Sequence, residues 1–119
     1  MLFHLALKEY IDGYDVFSFD DPIFALAHFT ENKSAYALII TDLRMSDLNG
    51  LKLLKKIKDA NTSARTILMS GYNYDENLLF RNYPELGVID STIEKPIMIQ
   101  RLCQRVKDEL QIYQLVNSR

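Results

Sequence analysis

A near-continuous apolar run that ends in a carboxylate constrains the fold of this chain more than any other feature of its sequence. The run covers residues 36–42 and reads Tyr-Ala-Leu-Ile-Ile-Thr-Asp. Strands that are buried on both faces have this composition, and they occur in parallel sheets with a helix layer on each side. The run therefore predicts an interior strand with a polar residue, Asp42, at its carboxyl end.

Runs with strand character alternate with runs of helical period along the whole sequence. Strands are predicted over residues 16–19, 36–42, 66–70 and 88–92, and helices over residues 2–12, 22–30, 51–58, 75–82 and 97–116. The 119 residues, 48% of them hydrophobic, suffice for one core and not for two. We therefore predict a single α/β domain over residues 1–119, with an open parallel sheet, helices on both faces and an extended C-terminal helix over 97–116.

Local signals predict where two helices begin and which of their faces are buried. Asp21 is the predicted N-cap of the second helix, with Pro22 at its first position. The apolar residues expected on the buried face of that helix are Ile23, Leu26, Ala27 and Phe29. In the last helix the apolar stripe comprises Ile99, Leu102, Cys103, Val106, Leu110 and Tyr113. Lys58 and Glu109 are predicted to face solvent.

Charge and cysteine content exclude several classes of protein. A formal net charge of −2 and a pI near 5.6 give no reason to expect a nucleic-acid or anionic-membrane surface. The one cysteine, Cys103, cannot form an internal disulfide, which fits a reducing compartment. The apolar start of the chain is interrupted by charges too soon for a membrane span. We expect a cytoplasmic protein.

Three polar residues, Asp42, Ser70 and Lys95, each lie at the end of a predicted strand. The carboxyl ends of parallel strands meet at one edge of the sheet, where open α/β folds place their chemistry. A carboxylate can attack phosphorus, while a lysine and a hydroxyl stabilise the transferred phosphoryl group. The order carboxylate, hydroxyl, ammonium therefore favours phosphoryl transfer to Asp42. Each residue taken alone is also compatible with a structural role, as a cap, a strand-end hydroxyl or a surface charge.

The sequence around these three residues resembles the receiver domain of two-component response regulators. Its phosphoacceptor motif, Asp-x-x-Met-Pro-x-x-x-Gly after an apolar strand, is matched by Asp42, Met45 and Gly50. Ile67-Leu68-Met69-Ser70-Gly71 is similar to the family's strand that ends in a switch Ser or Thr, and Glu94-Lys95-Pro96 to its Lys-Pro pair. The resemblance extends from about residue 1 to residue 110.

The resemblance implies a flavodoxin-like fold and a place in a phosphorelay. Asp42 would accept a phosphoryl group from a histidine kinase, Ser70 would be the switch hydroxyl, and Lys95 the cation that binds the phosphoryl group. Magnesium would be held by Asp42 and the backbone carbonyl of Arg44. The resemblance also implies a turn at Gly50 and a cis peptide bond between Lys95 and Pro96. It implies no catalysis on a separate substrate.

The sequence departs from the receiver pattern at its start. Receivers begin with an apolar strand that ends in a pair of acidic metal ligands, and this chain begins at the first predicted helix. Asp20 and Asp21 follow the family's second strand and precede a proline, so capping explains them better than metal binding. With its acidic pair missing, the magnesium site is incomplete and should bind weakly. Thr92 also replaces the aromatic residue by which receivers usually signal.

The missing first strand requires compensation, since burying about five apolar residues contributes on the order of 10 kcal/mol. The strand at 16–19 could pair directly with that at 36–42, the exposed edge could pair with another subunit, or a neighbouring chain could fill the gap. We favour a homodimer formed through the exposed sheet edge or the C-terminal helix.

Three functions remain open from the sequence. The first is a stand-alone receiver with a histidine kinase and a downstream protein as partners. The second is a degenerate pseudo-receiver that acts as a phosphorylation-independent interaction module. The third is a haloacid-dehalogenase-like phosphatase, which normally has a second Asp two residues after its nucleophile, where this chain has Arg44.

Overall fold

The computed structural model describes residues 13–19, 21–32, 35–42, 50–70, 88–94 and 96–117. In chain order the regular elements are α1 (Pro22–Glu31), β1 (Leu38–Asp42), α2 (Gly50–Ala60), β2 (Arg65–Ser70), β3 (Ser91–Glu94) and α3 (Ile99–Asn117). The three strands form a parallel sheet in the order β1-β2-β3. The predicted α/β architecture is therefore confirmed.

Helices pack on both faces of the sheet, as the apolar runs of the strands require. One core layer lies between the sheet and helices α1 and α2, and its buried residues include Phe29, Leu53, Leu54, Ile57 and Leu68. The other lies under α3 and includes Ile67, Leu102, Cys103, Val106 and Leu110. Successive strand residues point to opposite faces, so Ile67 and Leu68 of β2 serve different layers. Among the described helices, none is both long and apolar enough to cross a bilayer.

Helix α1 begins as the sequence predicts, but its buried face is narrower. Asp21 is the N-cap, and its Oδ1 accepts a hydrogen bond of 2.8 Å from the backbone N–H of Ile23. Phe29 is buried and Leu26 packs against the same core. Ile23 and Ala27, predicted to be buried, are exposed. The helix contacts the core through Leu26 and Phe29, and its first turn faces solvent.

The predicted strand at 16–19 is not a strand of the described sheet. Residues 14–19 carry no regular secondary structure, because no ladder of backbone hydrogen bonds joins them to another described strand. The last strand also begins later than predicted, at Ser91 instead of residue 88. Before that start, Val88 and Asp90 contact the Thr66 side chain: Thr66 Oγ1 donates to the carbonyl of Val88 at 2.6 Å and accepts from the Asp90 N–H at 3.1 Å.

Lys58 and Asp90 form an ion pair that the sequence did not predict. Lys58 Nζ lies 2.8 Å from Asp90 Oδ2, and both side chains are largely buried, so the prediction that Lys58 faces solvent is wrong. The same carboxylate oxygen accepts the backbone N–H of Thr66 at 2.9 Å. Asp90 thus ties helix α2 to the amino-terminal ends of β2 and β3.

Glu109 of α3 is buried, with 4% of its surface exposed, and the prediction that it faces solvent is also wrong. Its two oxygens accept hydrogen bonds from Arg65 Nε at 2.8 Å and from the Ser91 hydroxyl at 2.9 Å. The bond to Glu109 raises the pKa of the Arg65 guanidinium, helped by the charges of Asp90 and Glu109, although partial burial opposes it. A buried carboxylate with two donors of this kind is compensated for its loss of water.

Two predicted helices lie outside the described residues: the first, over 2–12, and the short one over 75–82. Gly13, which directly follows the range of the first predicted helix, has a φ of 84°, in the left-handed region that glycine tolerates best. The C-terminal helix, predicted over 97–116, begins at Ile99 and ends at Asn117.

Replacing Glu109 should destabilise the fold far more than replacing its neighbour in the helix. The change Glu109→Ala removes the acceptor of Arg65 and Ser91 and leaves both donors near the core, so we expect a loss of about 2–4 kcal/mol in the free energy of unfolding. Urea unfolding measures it. The matched control, Asp108→Ala at an exposed position, should change stability by less than about 0.5 kcal/mol. Equal losses in the two variants would contradict a structural role for the Glu109 contacts.

Candidate functional site

The carboxyl ends of the three strands lie side by side. Asp42, the last residue of β1, pairs in register with Met69, and Ser70, the last residue of β2, pairs with Glu94, the last of β3. The strand ends are therefore aligned to within one residue across the sheet. The backbone positions of Asp42 and Ser70 fall on one edge, as predicted, and Lys95 directly follows the end of β3 in sequence.

Asp42 is half-buried at this edge, directly after the buried Thr41. The hydroxyl of Thr41 donates a hydrogen bond of 3.2 Å to the backbone carbonyl of Asp42. A short, partly buried strand thus fixes the backbone that carries Asp42. Of the other predicted site residues, Ser70 is described by its backbone alone, while Arg44 and the Lys95-Pro96 peptide bond fall outside the described residues.

The donor set at this edge does not make a complete magnesium site in the part of the chain that the structure describes. No group of three or more His, Cys, Asp or Glu side chains there could hold a metal ion. Asp42 supplies one carboxylate, and Glu94 at the end of β3 is exposed. Mg²⁺ is commonly bound through one or two carboxylates together with water. Asp42 can supply one such ligand, but the described residues provide no second carboxylate grouped with it.

Two further sequence interpretations can be compared with the structure. Asp21 uses a carboxylate oxygen to cap α1, which supports capping over metal binding for that residue. Thr92 lies in β3, half-buried and paired in register with Leu68. No aromatic ring is therefore available at this strand position, as the sequence implies.

A second group of charged residues lies at the opposite, amino-terminal ends of the strands, and the sequence analysis did not predict it. Arg65 Nη1 approaches Asp90 Oδ1 at 3.5 Å, in addition to its bond with Glu109 and the pairing of Lys58 with Asp90. These residues flank the amino-terminal ends of β2 and β3. The sequence does contain one signal that Glu109 is buried: it falls three residues after Val106 and seven after Leu102, on the apolar stripe of α3.

An aromatic group surrounds His28 on α1. The ring centroids of Phe17, Phe19 and Tyr36 lie 5.1–5.5 Å from that of His28. The centroids of Phe17 and Tyr36 lie 5.9 Å from each other. His28 Nε2 and the Tyr36 hydroxyl are hydrogen-bonded, and burial raises the pKa of the Tyr36 phenol. Tyr36 precedes β1, so the group lies away from the strand ends that carry Asp42 and Ser70.

Comparison with known proteins agrees with this geometry. The model of the response regulator receiver domain family matches residues 1–107. A receiver domain protein from Clostridium thermocellum is 22% identical with a TM-score of 0.80, and the match covers 94% of this chain and 85% of that one. The signal receiver domain of a putative Luxo repressor protein from Vibrio parahaemolyticus is 24% identical with a TM-score of 0.77, covering 98% and 84%.

A third similar structure is the receiver domain of NtrX from Brucella abortus, 26% identical with a TM-score of 0.72, covering 92% of this chain and 88% of that one. No curated protein matches the chain. The structural likeness confirms the flavodoxin-like receiver fold. The family match spans nearly the whole sequence and includes the strand that ends in Asp42, the one that ends in Ser70 and the Lys95-Pro96 pair. The chain therefore belongs to the response regulator receiver domain family.

Proposed function

We propose that this chain is a receiver that accepts a phosphoryl group on Asp42 from a histidine kinase. Receiver domains take part in phosphorelay signalling and are generally non-catalytic modules. The observation that carries the proposal is the position of Asp42 at the carboxyl end of β1, aligned with the end of β2 at Ser70. A cytoplasmic location and a downstream protein partner follow from the same role.

The proposed step is a phosphoryl transfer between two side chains. A carboxylate oxygen of Asp42 attacks the phosphorus of the kinase phosphohistidine, the new P–O bond forms, and the P–N bond breaks with its electron pair left on the imidazole nitrogen. The Lys95 ammonium would neutralise charge on the phosphoryl oxygens, and the Ser70 hydroxyl would donate a hydrogen bond to one of them. The product is an acyl phosphate on Asp42, and no other substrate is turned over.

Receivers typically bind Mg²⁺ at their acidic pocket, where the ion offsets charge on the phosphoryl oxygens. In this chain Asp42 and the backbone carbonyl of Arg44 would hold it. We propose that the affinity is low, because the described residues group no second carboxylate with Asp42.

The same observation favours one alternative function. A receiver-like domain with a weak metal site can serve as a docking module whose partner binding does not depend on phosphorylation. The two functions differ in whether Asp42 becomes modified, and the first experiment below separates them.

Incubation with acetyl phosphate and magnesium should add one phosphoryl mass to the intact chain. The adduct should be lost in Asp42→Asn, because an amide is not a nucleophile toward phosphorus, and retained in the control Asp59→Asn on the exposed end of α2. Intact mass spectrometry measures both. An unmodified chain, under conditions that label an ordinary receiver, would leave the docking module as the better function.

Magnesium titration followed by backbone amide NMR should show weak binding localised to the end of β1. We expect the half-saturating magnesium concentration to exceed that of a receiver with a full acidic pair by about tenfold or more. Even the loss of a residue that only hydrogen-bonds to a metal ligand lowers metal affinity by a factor of this size. Asp42→Asn should remove the shifts. Affinity equal to that of an ordinary receiver would contradict an incomplete site.

We further propose that the chain forms a homodimer through the end of its C-terminal helix. Ile112 and Val116 lie four residues apart on α3, and both are exposed. Apolar residues at this spacing form a stripe that a second helix can cover. The exposed edge of the sheet is the other candidate surface for a partner.

The double variant Ile112→Lys/Val116→Lys should shift the chain toward a monomer, because it places two charges in the proposed contact. Light scattering coupled to gel filtration measures the mass. Gln111→Lys, on the exposed side of the same turn, is the control and should leave the dimer intact. A wild-type chain that is monomeric at all concentrations would reject this dimer.

A further inference from the structure

Three phenylalanine side chains stay largely exposed beside helix α1. Phe17, Phe19 and Phe24 are 57%, 41% and 68% exposed. Phe17 and Phe19 contact the ring of His28 on α1. Phe24 lies four residues before His28 and so on the same face of the helix. We call these four residues the aromatic surface of α1. Single exposed apolar residues are ordinary, but a cluster of them is typical of a surface that another molecule covers.

The rings of this surface are packed on one another and leave no cage between them. The centroids of Phe17 and Phe19 lie 5.5 and 5.1 Å from that of His28, and Tyr36 is hydrogen-bonded to His28 Nε2. A cage for a small cation needs aromatic rings around an open centre, and here the imidazole occupies the centre. A ligand must therefore lie on the outer faces of the rings, which suits a polypeptide segment better than a small ion.

The stretch of sequence that carries this surface is acidic. Between Lys8 and Lys33 there are six Asp or Glu residues and no Lys or Arg, whereas the whole chain has a formal net charge of only −2. Asp15 and Glu31 are exposed, and Glu31 lies three residues after His28 on the same side of α1. Carboxylates beside an apolar surface attract basic groups and repel the phosphates of nucleic acids and anionic lipids. The charge therefore selects a basic partner.

We propose that the aromatic surface of α1 binds a segment of a partner polypeptide in which arginine residues stand next to apolar ones. Its apolar side chains would cover Phe17, Phe19 and Phe24. Its guanidinium groups would stack on the exposed ring faces and pair with Asp15 and Glu31. This binding does not require phosphorylation of the chain.

A second copy of the chain is a poorer occupant of this surface. In a two-fold dimer the same residues of both copies face each other. The carboxylates of Asp15 and Glu31 would then approach those of the other copy, and like charges at an interface oppose association. The dimer proposed above through the C-terminal helix uses a different surface.

NMR titration of the full chain with a basic peptide tests the proposal. The probe is the peptide Arg-Phe-Arg-Leu-Arg-Phe-Arg with blocked ends. Two control peptides separate the two requirements: glutamate replaces every arginine in the first, and serine replaces every Phe and Leu in the second. The matched protein variants are Phe24→Ser and Ile23→Ser. Ile23 is exposed to a similar extent on the same helix, at 55%, but it lies outside the aromatic surface.

The basic peptide should shift the signals of Phe19, Phe24 and His28, and both control peptides should bind at least about tenfold more weakly. Phe24→Ser should weaken binding of the basic peptide about tenfold, and Ile23→Ser by less than about twofold. Glu31→Gln should also weaken it, whereas Glu94→Gln, at an exposed position on β3, should not.

Three results would overturn the proposal. The first is the absence of localised shifts with the basic peptide, or equal shifts with the glutamate peptide. The second is self-association of the free chain that Phe24→Ser abolishes, which would assign the surface to a second copy. The third is a loss of stability in Phe24→Ser as large as that in Phe29→Ser, a buried residue of the same helix, which would show that the chain itself covers the Phe24 ring.

Discussion

The carboxylate of Asp90 is the contact on which the alignment of the sheet depends. This carboxylate accepts a hydrogen bond from the backbone N–H of Thr66 at the start of β2 and forms an ion pair with Lys58 of α2. The backbone N–H of Asp90 donates to the carbonyl and the hydroxyl of Thr66. A parallel pair of short strands has evenly spaced hydrogen bonds that do not by themselves fix the register. Side-chain hydrogen bonds at the amino-terminal ends of β2 and β3 help to fix the register. In that register Ser70 lies opposite Glu94 at the other end of the two strands.

Polar residues thus lie at both ends of the strands, and the two ends have different roles. At the amino-terminal edge the charges of Lys58, Arg65, Asp90 and Glu109 are matched with one another and hold helices α2 and α3 against the strands. Such matching suits a structural role, because a paired and hydrogen-bonded charge is stable at the margin of a core. At the carboxyl-terminal edge Asp42 and Ser70 end neighbouring strands. The proposed phosphoacceptor, Asp42, would benefit from a backbone that is fixed from the other end of the sheet.

The sequence by itself determined the α/β class, the strand that ends in Asp42, the cap at Asp21 and the receiver motifs, because these depend on apolar periodicity and on residues close together in the chain. It did not determine that Lys58 and Glu109 are buried, since their partners Asp90, Arg65 and Ser91 are distant in sequence and a charged residue alone reads as solvent-facing. Nor could it show that residues 16–19 do not join the described ladder. A strand is defined by its neighbour, and only the tertiary structure decides which backbone groups meet.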